Sequence, residues 1–256
     1  MLNFLHYALA AAAAFLAGGI NSVAGGGTLI TFPALVGLGL PAIAANTTST
    51  VAIWPGSLGS MWGFRREIHA IPRHFLLLAI PSILGGLLGA WLLHNTPAGV
   101  FERLVPFLIL FATLLFSIQA PVQRHLQRLL GQGKKGPAWI CGALLAQFAV
   151  GVYGGYFGAG MSIMILTALA FMGMENILEM SALSSFLNFC TNGVASILFI
   201  GAHMVVWSYV LAMMIAALIG GWAAAGIARR IGKVIVRRFV IGVGLTIGVV
   251  LLVHTI

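Results

Sequence analysis

Aspartate is absent from this 256-residue chain, and its only acids are Glu67, Glu102, Glu175 and Glu179. Charged residues make up 7% of the chain, against about 25% in an ordinary soluble domain. Such a chain cannot cover a water-facing globule with polar groups. None of the four acids falls in the middle of an apolar run, which argues against a carboxylate-centred cation pump or proton relay. Cysteine is scarce too. Cys141 and Cys190 both lie in apolar stretches without the Cys/His spacing of a metal site, so they read as buried thiols. There is no Walker loop, no HExxH, no G-x-S-x-G elbow and no credible Ser/His/Asp set. ATP-driven transport and hydrolysis are not indicated, no enzyme is expected, and no cofactor or metal is called for.

What is present is apolar. Hydrophobic residues make up 61% of the chain and the mean hydropathy is +1.07, which describes an integral membrane protein with the lipid bilayer as its solvent. The net charge of +9 resides in short clusters between apolar runs, as in positively charged cytoplasmic loops, so no nucleic acid is expected as a partner. The apolar start lacks the basic n-region of a signal peptide and reads as retained.

A membrane-crossing helix needs about 20 apolar residues. Ten segments emerge: 3–19, 28–40, 44–62, 72–93, 100–117, 137–151, 161–174, 179–200, 206–228 and 234–256. Segments 28–40 and 161–174 are too short to cross upright and read as half-helices or re-entrant arms. Each follows a glycine-rich break, NSVAGGG or VYGGYFGAG.

The short segments match because the chain repeats. GINSVAGGGT aligns with VYGGYFGAGM at a shift of 133, and LGGLLGA with IGGWAAA at a shift of 135. FERLVPFLILFATLL aligns with VRRFVIGVGLTIGVV, also at 135. The expected class is therefore all-α: a polytopic membrane protein of two inverted repeats. Each repeat has a glycine-broken or re-entrant helix pair followed by three transmembrane helices. Residues 1–118 form the first repeat, 119–136 a basic cytoplasmic loop, and 137–256 the second repeat.

Charge decides the inversion. With an odd number of crossings per half, twelve of the thirteen Lys and Arg share one face and only Arg103 lies opposite. With an even number the split is seven against six and carries no bias. The positive-inside rule favours the odd count, which places the basic loops in the cytoplasm and both termini on the opposite face.

Chemistry points to the breaks. Asn21, Gly25, Gly26, Gly27 and Thr28 in the first half, and Gly158, Gly160 and Ser162 in the second, lie where the backbone can turn and leave amides uncovered. Thr28 reads as the cap of its short arm, and an arm's N-terminus can hold an anion without a charged side chain. A second polar set comprises Asn46 and Thr50, matched by Asn188 and Asn192, which are four apart on one helix face next to Ser181, Ser184 and Ser185. Packing explains many such residues, but matched polar faces in both halves favour a cavity. Gly85, Gly89, Gly244 and Gly248 read as helix-packing positions. His69 and His203 fall near segment ends, and the tryptophans read mostly as interfacial belts.

FLAGGINSVAGGGTLITFPAL followed by PAIAANTTSTVAIWPGSLGSMWGFRREI resembles the N-terminal signature of the sulfite exporter TauE/SafE family. GVYGGYFGAGMSIMIL and LNFCTNGVASILFIGAHMVVW resemble that family's second-half motifs. The resemblance implies secondary transport of small sulfur-containing anions (sulfite, thiosulfate or organosulfonates) across the inner membrane. A passive small-anion channel is the alternative with the same composition, and homodimerisation is left open.

The charge count yields a first prediction. A cysteine label at Gln132 is expected to react only from the cytoplasmic side, and one at Asn95 only from the opposite side. Reaction of both from one face overturns the inverted arrangement.

Overall fold

A computed structural model describes residues 2–23, 26–129, 137–174, 176–231 and 233–255. Among these residues there is no strand. The helices are α1 (Leu2–Val23), α2 (Thr28–Gly37), α3 (Ala42–Gly63), α4 (Arg65–Ala70), α5 (Arg73–Leu76), α6 (Ala79–Asn95), α7 (Ala98–Leu129), α8 (Pro137–Tyr156), α9 (Met161–Phe171), α10 (Ile177–Gly201), α11 (Trp207–Ile231) and α12 (Lys233–Thr255). The stretches Phe4–Asn21, Ala98–Ile118 and Leu178–Gly201 are each long and apolar enough to cross a membrane. Shorter apolar helices lie among them.

The distribution of side chains is that of a protein in lipid. Large apolar groups such as Phe4, Leu145, Ile215 and Trp222 face outward, while Thr31, Thr47, Thr48, Ser49, Ser82 and Gln147 are fully buried. In water this arrangement would expose apolar surface and desolvate hydroxyls. In hydrocarbon it places most of these polar groups where a backbone carbonyl or a side chain of the protein can bond them. The chain is a multi-pass membrane protein.

The two short arms share a chemistry. At 1.5 Å per residue α2 is about 15 Å long and α9 about 17 Å, roughly half of a 30 Å hydrocarbon core. Both end in a left-handed glycine, Gly39 or Gly173. In both, a reversed bond closes the end: Leu40 N–H donates to Leu35 O, and Met174 N–H to Leu169 O, each at 3.1 Å.

The remaining packing is reciprocal between the halves. Helix α1 lies along α11, and α8 lies along α6, so the first helix of each half packs on the third long helix of the other. The seams use equivalent residues. Gly85 faces the Phe148 carbonyl and Gly220 faces the Phe15 carbonyl, with 148 − 15 = 133 and 220 − 85 = 135. Gly151 faces the Ser82 carbonyl and Gly18 the Ala217 carbonyl, at the same two offsets. Helices α3 and α10 run antiparallel: Thr47 donates to Met204 O at 2.6 Å at one end, and Trp54 Nε1 donates to Phe189 O at 3.1 Å further along. Helices α7 and α12 are also antiparallel, with Gly244 against Thr113 and Gly248 against Leu110.

Several expectations change in detail. Helix α1 continues through Asn21 to Val23, and α8 through Gly155 to Tyr156, so the second break narrows to residues 157–160. Small residues suffice for a turn but do not force one where neighbouring helices hold the backbone helical. The span expected from Pro72 starts at Ala79, behind the short α5. Helix α7 runs to Leu129, so the first part of the polar stretch 119–136 is helical, while residues 130–136 and Gln132 lie outside the described residues. Trp54 is mid-helix rather than interfacial, and it stacks on Phe189 at 5.4 Å. The offset is 189 − 54 = 135, so these equivalent residues meet where the two halves face each other.

Close approach at these glycines is testable. A Cβ on Gly85 would overlap the Phe148 carbonyl oxygen, whereas one on Gly142 of α8 meets nothing within 4 Å. Overpacking of this kind costs about 1–3 kcal/mol. Gly85→Val is expected to lower the melting temperature in detergent by several degrees, and Gly142→Ala to leave it level or slightly raised. Equal melting temperatures for the two variants would contradict the seam.

Candidate functional site

The second break has the more completely defined geometry. Helix α8 ends at Tyr156 and α9 begins at Met161, with Gly160 as its N-cap at φ +76° and Gly158 at φ +78°. A side chain at either position would be strained, because L-residues avoid this region. The turn is closed by Phe157 N–H and Gly158 N–H donating to Tyr153 O, and by Met161 N–H donating to Gly158 O. Two side chains reach its carbonyls. Asn46 Nδ2 of α3 donates to Tyr156 O at 3.0 Å, and the Tyr153 hydroxyl donates to Ala159 O at 2.7 Å.

The polar face of α10 lies against the start of α9. Asn188 Nδ2 donates to Ser162 Oγ at 2.9 Å and to Ser184 O at 2.8 Å, and the Ser184 hydroxyl reaches Ser162 O at 3.5 Å. Asn192 is one turn further along. Its Oδ1 lies 3.9 Å from where a Cβ on Gly158 would sit. Gly158, Gly160, Ser162, Asn188 and Asn192 are therefore gathered in one place, as an i, i+4 face opposite a broken helix requires.

The first break is arranged differently. Asn21, in the last turn of α1, accepts from Gly26 N–H through Oδ1 at 3.1 Å. Gly26 has φ +113°, and the face where a Cβ would project is filled by the Phe116 ring of α7. Gly27 is the N-cap of α2, and a Cβ there would come within 2.7 Å of Ala17 O. The N-cap makes no side-chain bond, so Thr28 is not the cap expected of it; it is the buried first residue of α2. Gly25 lies outside the described residues. The arm is tied to α3 by a 2.5 Å bond between the Thr31 and Ser49 hydroxyls.

Asn46 and Thr50 sit on α3, both buried, with the Thr50 hydroxyl donating to Asn46 O at 2.9 Å. Asn46 Oδ1 has no partner among the described residues. Its amide thus serves the second break rather than the first. The two breaks share one apolar core. Phe32 of α2 meets Phe157 edge-on at 5.5 Å, Phe101 of α7 lies 6.5 Å from Phe157, and α7 also presents Ala112 to Gly160.

Sequence reasoning passed over Tyr153 and Gln147. Tyr153 is one turn before the second break, and its partner carbonyl becomes apparent only once the turn is built. Gln147 of α8, fully buried, donates to Ser82 Oγ at 2.8 Å, and Thr191 donates to Ser82 O at 3.3 Å, which ties α8, α6 and α10 together. A lone Gln in an apolar run is a signal that could have been read. Glu179 accepts from Asn176 Nδ2 at 2.8 Å, while Asn176 Oδ1 caps Leu178 N–H, so this acid belongs to a helix cap. His203, at φ +55°, lies in the turn after α10.

The family described as Sulfite exporter TauE/SafE matches residues 10–251. A probable membrane transporter protein of Haemophilus influenzae is 30% identical over 230 residues, covering 89% of this chain and 87% of that protein. A probable membrane transporter protein from a Sinorhizobium species is 27% identical over 240 residues, 94% of this chain and 90% of the relative. The Escherichia coli probable membrane transporter protein YfcA is 26% identical over 231 residues, 89% and 82% of the two chains. No solved structure matches the chain.

Asn188 separates a binding face from packing. Asn188→Leu removes both donated bonds and leaves the Ser162 hydroxyl without its orienting partner. If the face binds, anion affinity of the purified variant is expected to fall by about tenfold, roughly 1.4 kcal/mol, with membrane insertion intact. Unchanged affinity, or failed insertion, would identify Asn188 as a packing residue.

Proposed function

The chain belongs to the sulfite exporter TauE/SafE family, and from that membership we propose that it is a secondary transporter of small sulfur-containing anions rather than an enzyme. The anion is held at the glycine-broken helices and the Asn/Ser/Thr faces beside them, in the inner membrane, with the basic loops cytoplasmic and both termini opposite. The observation that carries this reading is the pair of half-length arms at matching positions. Each arm starts at a positive-φ glycine turn, and α10 lays a polar face of Ser184, Asn188 and Asn192 along one of them. Interrupted helices at equivalent places in two halves are the usual mark of a transporter site.

Two inverted repeats are supported by the helix directions. Equivalent helices α3 and α10 run antiparallel, as do α7 and α12, and exchanging the halves maps the α1/α11 seam onto the α8/α6 seam. In such a frame, rocking one half against the other opens the same anion site first to one side and then to the other. Arg65 and Arg66 sit at the α3/α4 end, and no Lys or Arg belongs to the polar faces described. The anion must then be met by amides, hydroxyls and backbone N–H groups. These can hold it because the surrounding medium has low dielectric.

The test is flux in proteoliposomes with a panel of sulfite, thiosulfate, sulfate, taurine and sulfoacetate. Saturable uptake of at least one sulfur oxyanion, driven uphill by an opposing ion gradient, is expected. Unitary currents without saturation would replace the transporter with a channel, and no flux of any member would remove the anion reading.

A further inference from the structure

We propose that the end of α3 and the short helix α4 form a seat for an anionic phospholipid, with Trp62 at the level of the headgroup and Arg65 and Arg66 holding its phosphate. Such a seat does not depend on what the protein transports.

Leu58, Trp62, Arg65 and Arg66 follow one another at spacings of three and four residues, which keeps them on one side of a helix. All four are exposed, Trp62 by as much as 72%. Read along α3 toward α4, the order is apolar, aromatic, cationic. A phospholipid has the matching order from acyl chain through interface to phosphate, and tryptophan and arginine take these levels in membrane proteins.

The cationic end is organised by the protein's own contacts. Arg65 Nη1 donates to Trp62 O at 3.2 Å, and its guanidinium lies 5.4 Å from the Trp62 ring centroid, over the face of the ring. The remaining N–H groups of that planar fork can reach a phosphate. His69 Nδ1–H donates to Arg65 O at 2.6 Å, and Phe64 and Ile68 pack on the core cluster of Leu169, Leu183 and Leu187, which fixes α4 against the bundle. Neither Arg65 nor Arg66 makes an ion pair among the described residues, although Glu67 is adjacent and half-buried. Two arginines without a carboxylate would need no partner in a water-exposed loop. Here they stand directly above a tryptophan and a leucine that face lipid. A protein with an acidic surface would match the charges but leave Trp62 and Leu58 uncovered, whereas one lipid covers all four.

The second half lacks this device. At a shift of 135, Leu58, Trp62, Arg65 and Arg66 correspond to Gly193, Ile197, Ile200 and Gly201. Ile197 is exposed, as Trp62 is, so the end of α10 keeps a lipid-facing position without the aromatic ring or the cations. Because α3 and α10 run antiparallel, these two ends point to opposite sides. In the orientation proposed above, the α3/α4 end is the cytoplasmic one, where basic residues meet anionic headgroups.

The experiment titrates purified full-length protein in neutral detergent with dioleoyl phosphatidylglycerol and, separately, dioleoyl phosphatidylcholine. Retained lipid is counted by native mass spectrometry, and melting temperature is measured on the same samples. The wild type is expected to hold its tightest phosphatidylglycerol at least about tenfold more strongly than phosphatidylcholine. Arg66→Gln removes a side chain that bonds nothing in the fold, and is expected to weaken that lipid about fivefold with the lipid-free melting temperature unchanged. Arg66→Lys keeps the charge and is expected to recover most of the loss. Arg65→Gln combined with Arg66→Gln is expected to weaken binding at least about tenfold, leaving phosphatidylcholine unaffected. Two controls remove charge elsewhere: Arg103→Gln, and Lys134→Gln together with Lys135→Gln. Both are expected to stay within about twofold of wild type. Equal retention of the two lipids, or wild-type affinity in Arg66→Gln and in the double arginine variant, overturns the seat. An equal loss in the lysine pair also overturns it, because net charge alone would then account for the binding.

Discussion

A backbone amide or carbonyl in hydrocarbon has no water to bond, and nearly every feature of this molecule answers that constraint. Continuous helices satisfy it locally. The two breaks cannot, because α1/α2 and α8/α9 each interrupt the i→i−4 ladder. Asn21 takes the Gly26 amide, Asn46 takes the Tyr156 carbonyl, and Tyr153 takes the Ala159 carbonyl. Each is a polar group that would be costly in lipid unless it had this work to do. Their presence inside, with Phe4, Ile215 and Trp222 outside, is one arrangement seen from its two sides.

The breaks also depend on what surrounds them. Helix α7 touches both, through Phe116 at Gly26 and Ala112 at Gly160, and the Phe32–Phe157 contact joins the arm of one half to the turn of the other. A shift at one break therefore cannot be independent of the other, since packed aromatic rings have little room to adjust. The glycine seams set the distance at which this happens. Backbone-to-backbone approach along α6/α8 and α1/α11 brings the first helix of each half into the opposite half, so neither half is packed without the other.

Near-symmetry with local departures is the chemical content of the structure. The arms end alike, at Gly39 and Gly173, and both are tied to the following long helix by hydroxyls, Thr31 to Ser49 and Ser184 to Ser162. The difference lies in polarity. Gln147 on α8 has Ala14 at the matching place on α1, where 147 − 133 = 14, and Tyr153 has Ile20, where 153 − 133 = 20. The exchange runs both ways, since Asn21 and Thr31 at the first break and arm stand where the second half has Gly154 and Met164.

Membrane residence and the two short arms were legible in the residue order, because hydropathy and glycine clusters are local properties of the chain. So was the face shared by Asn188 and Asn192, which follows from a spacing of four. Residue order also pointed to Gly85 and Gly244 as packing positions, since small residues in apolar helices allow close approach. It did not reveal that α8 stays helical through Gly154 and Gly155, that Thr28 is buried rather than capping, or that Trp54 stacks on Phe189. Those outcomes depend on which helix lies alongside, and propensity carries no such information. Least legible was the role of Asn46. It stands 110 residues before the carbonyl it serves, and that partner exists only where α8 stops beside α3. That polar groups must be buried follows from so apolar a composition; which donor meets which acceptor follows from helix packing, because hydrogen bonds across such separations do not depend on spacing along the chain.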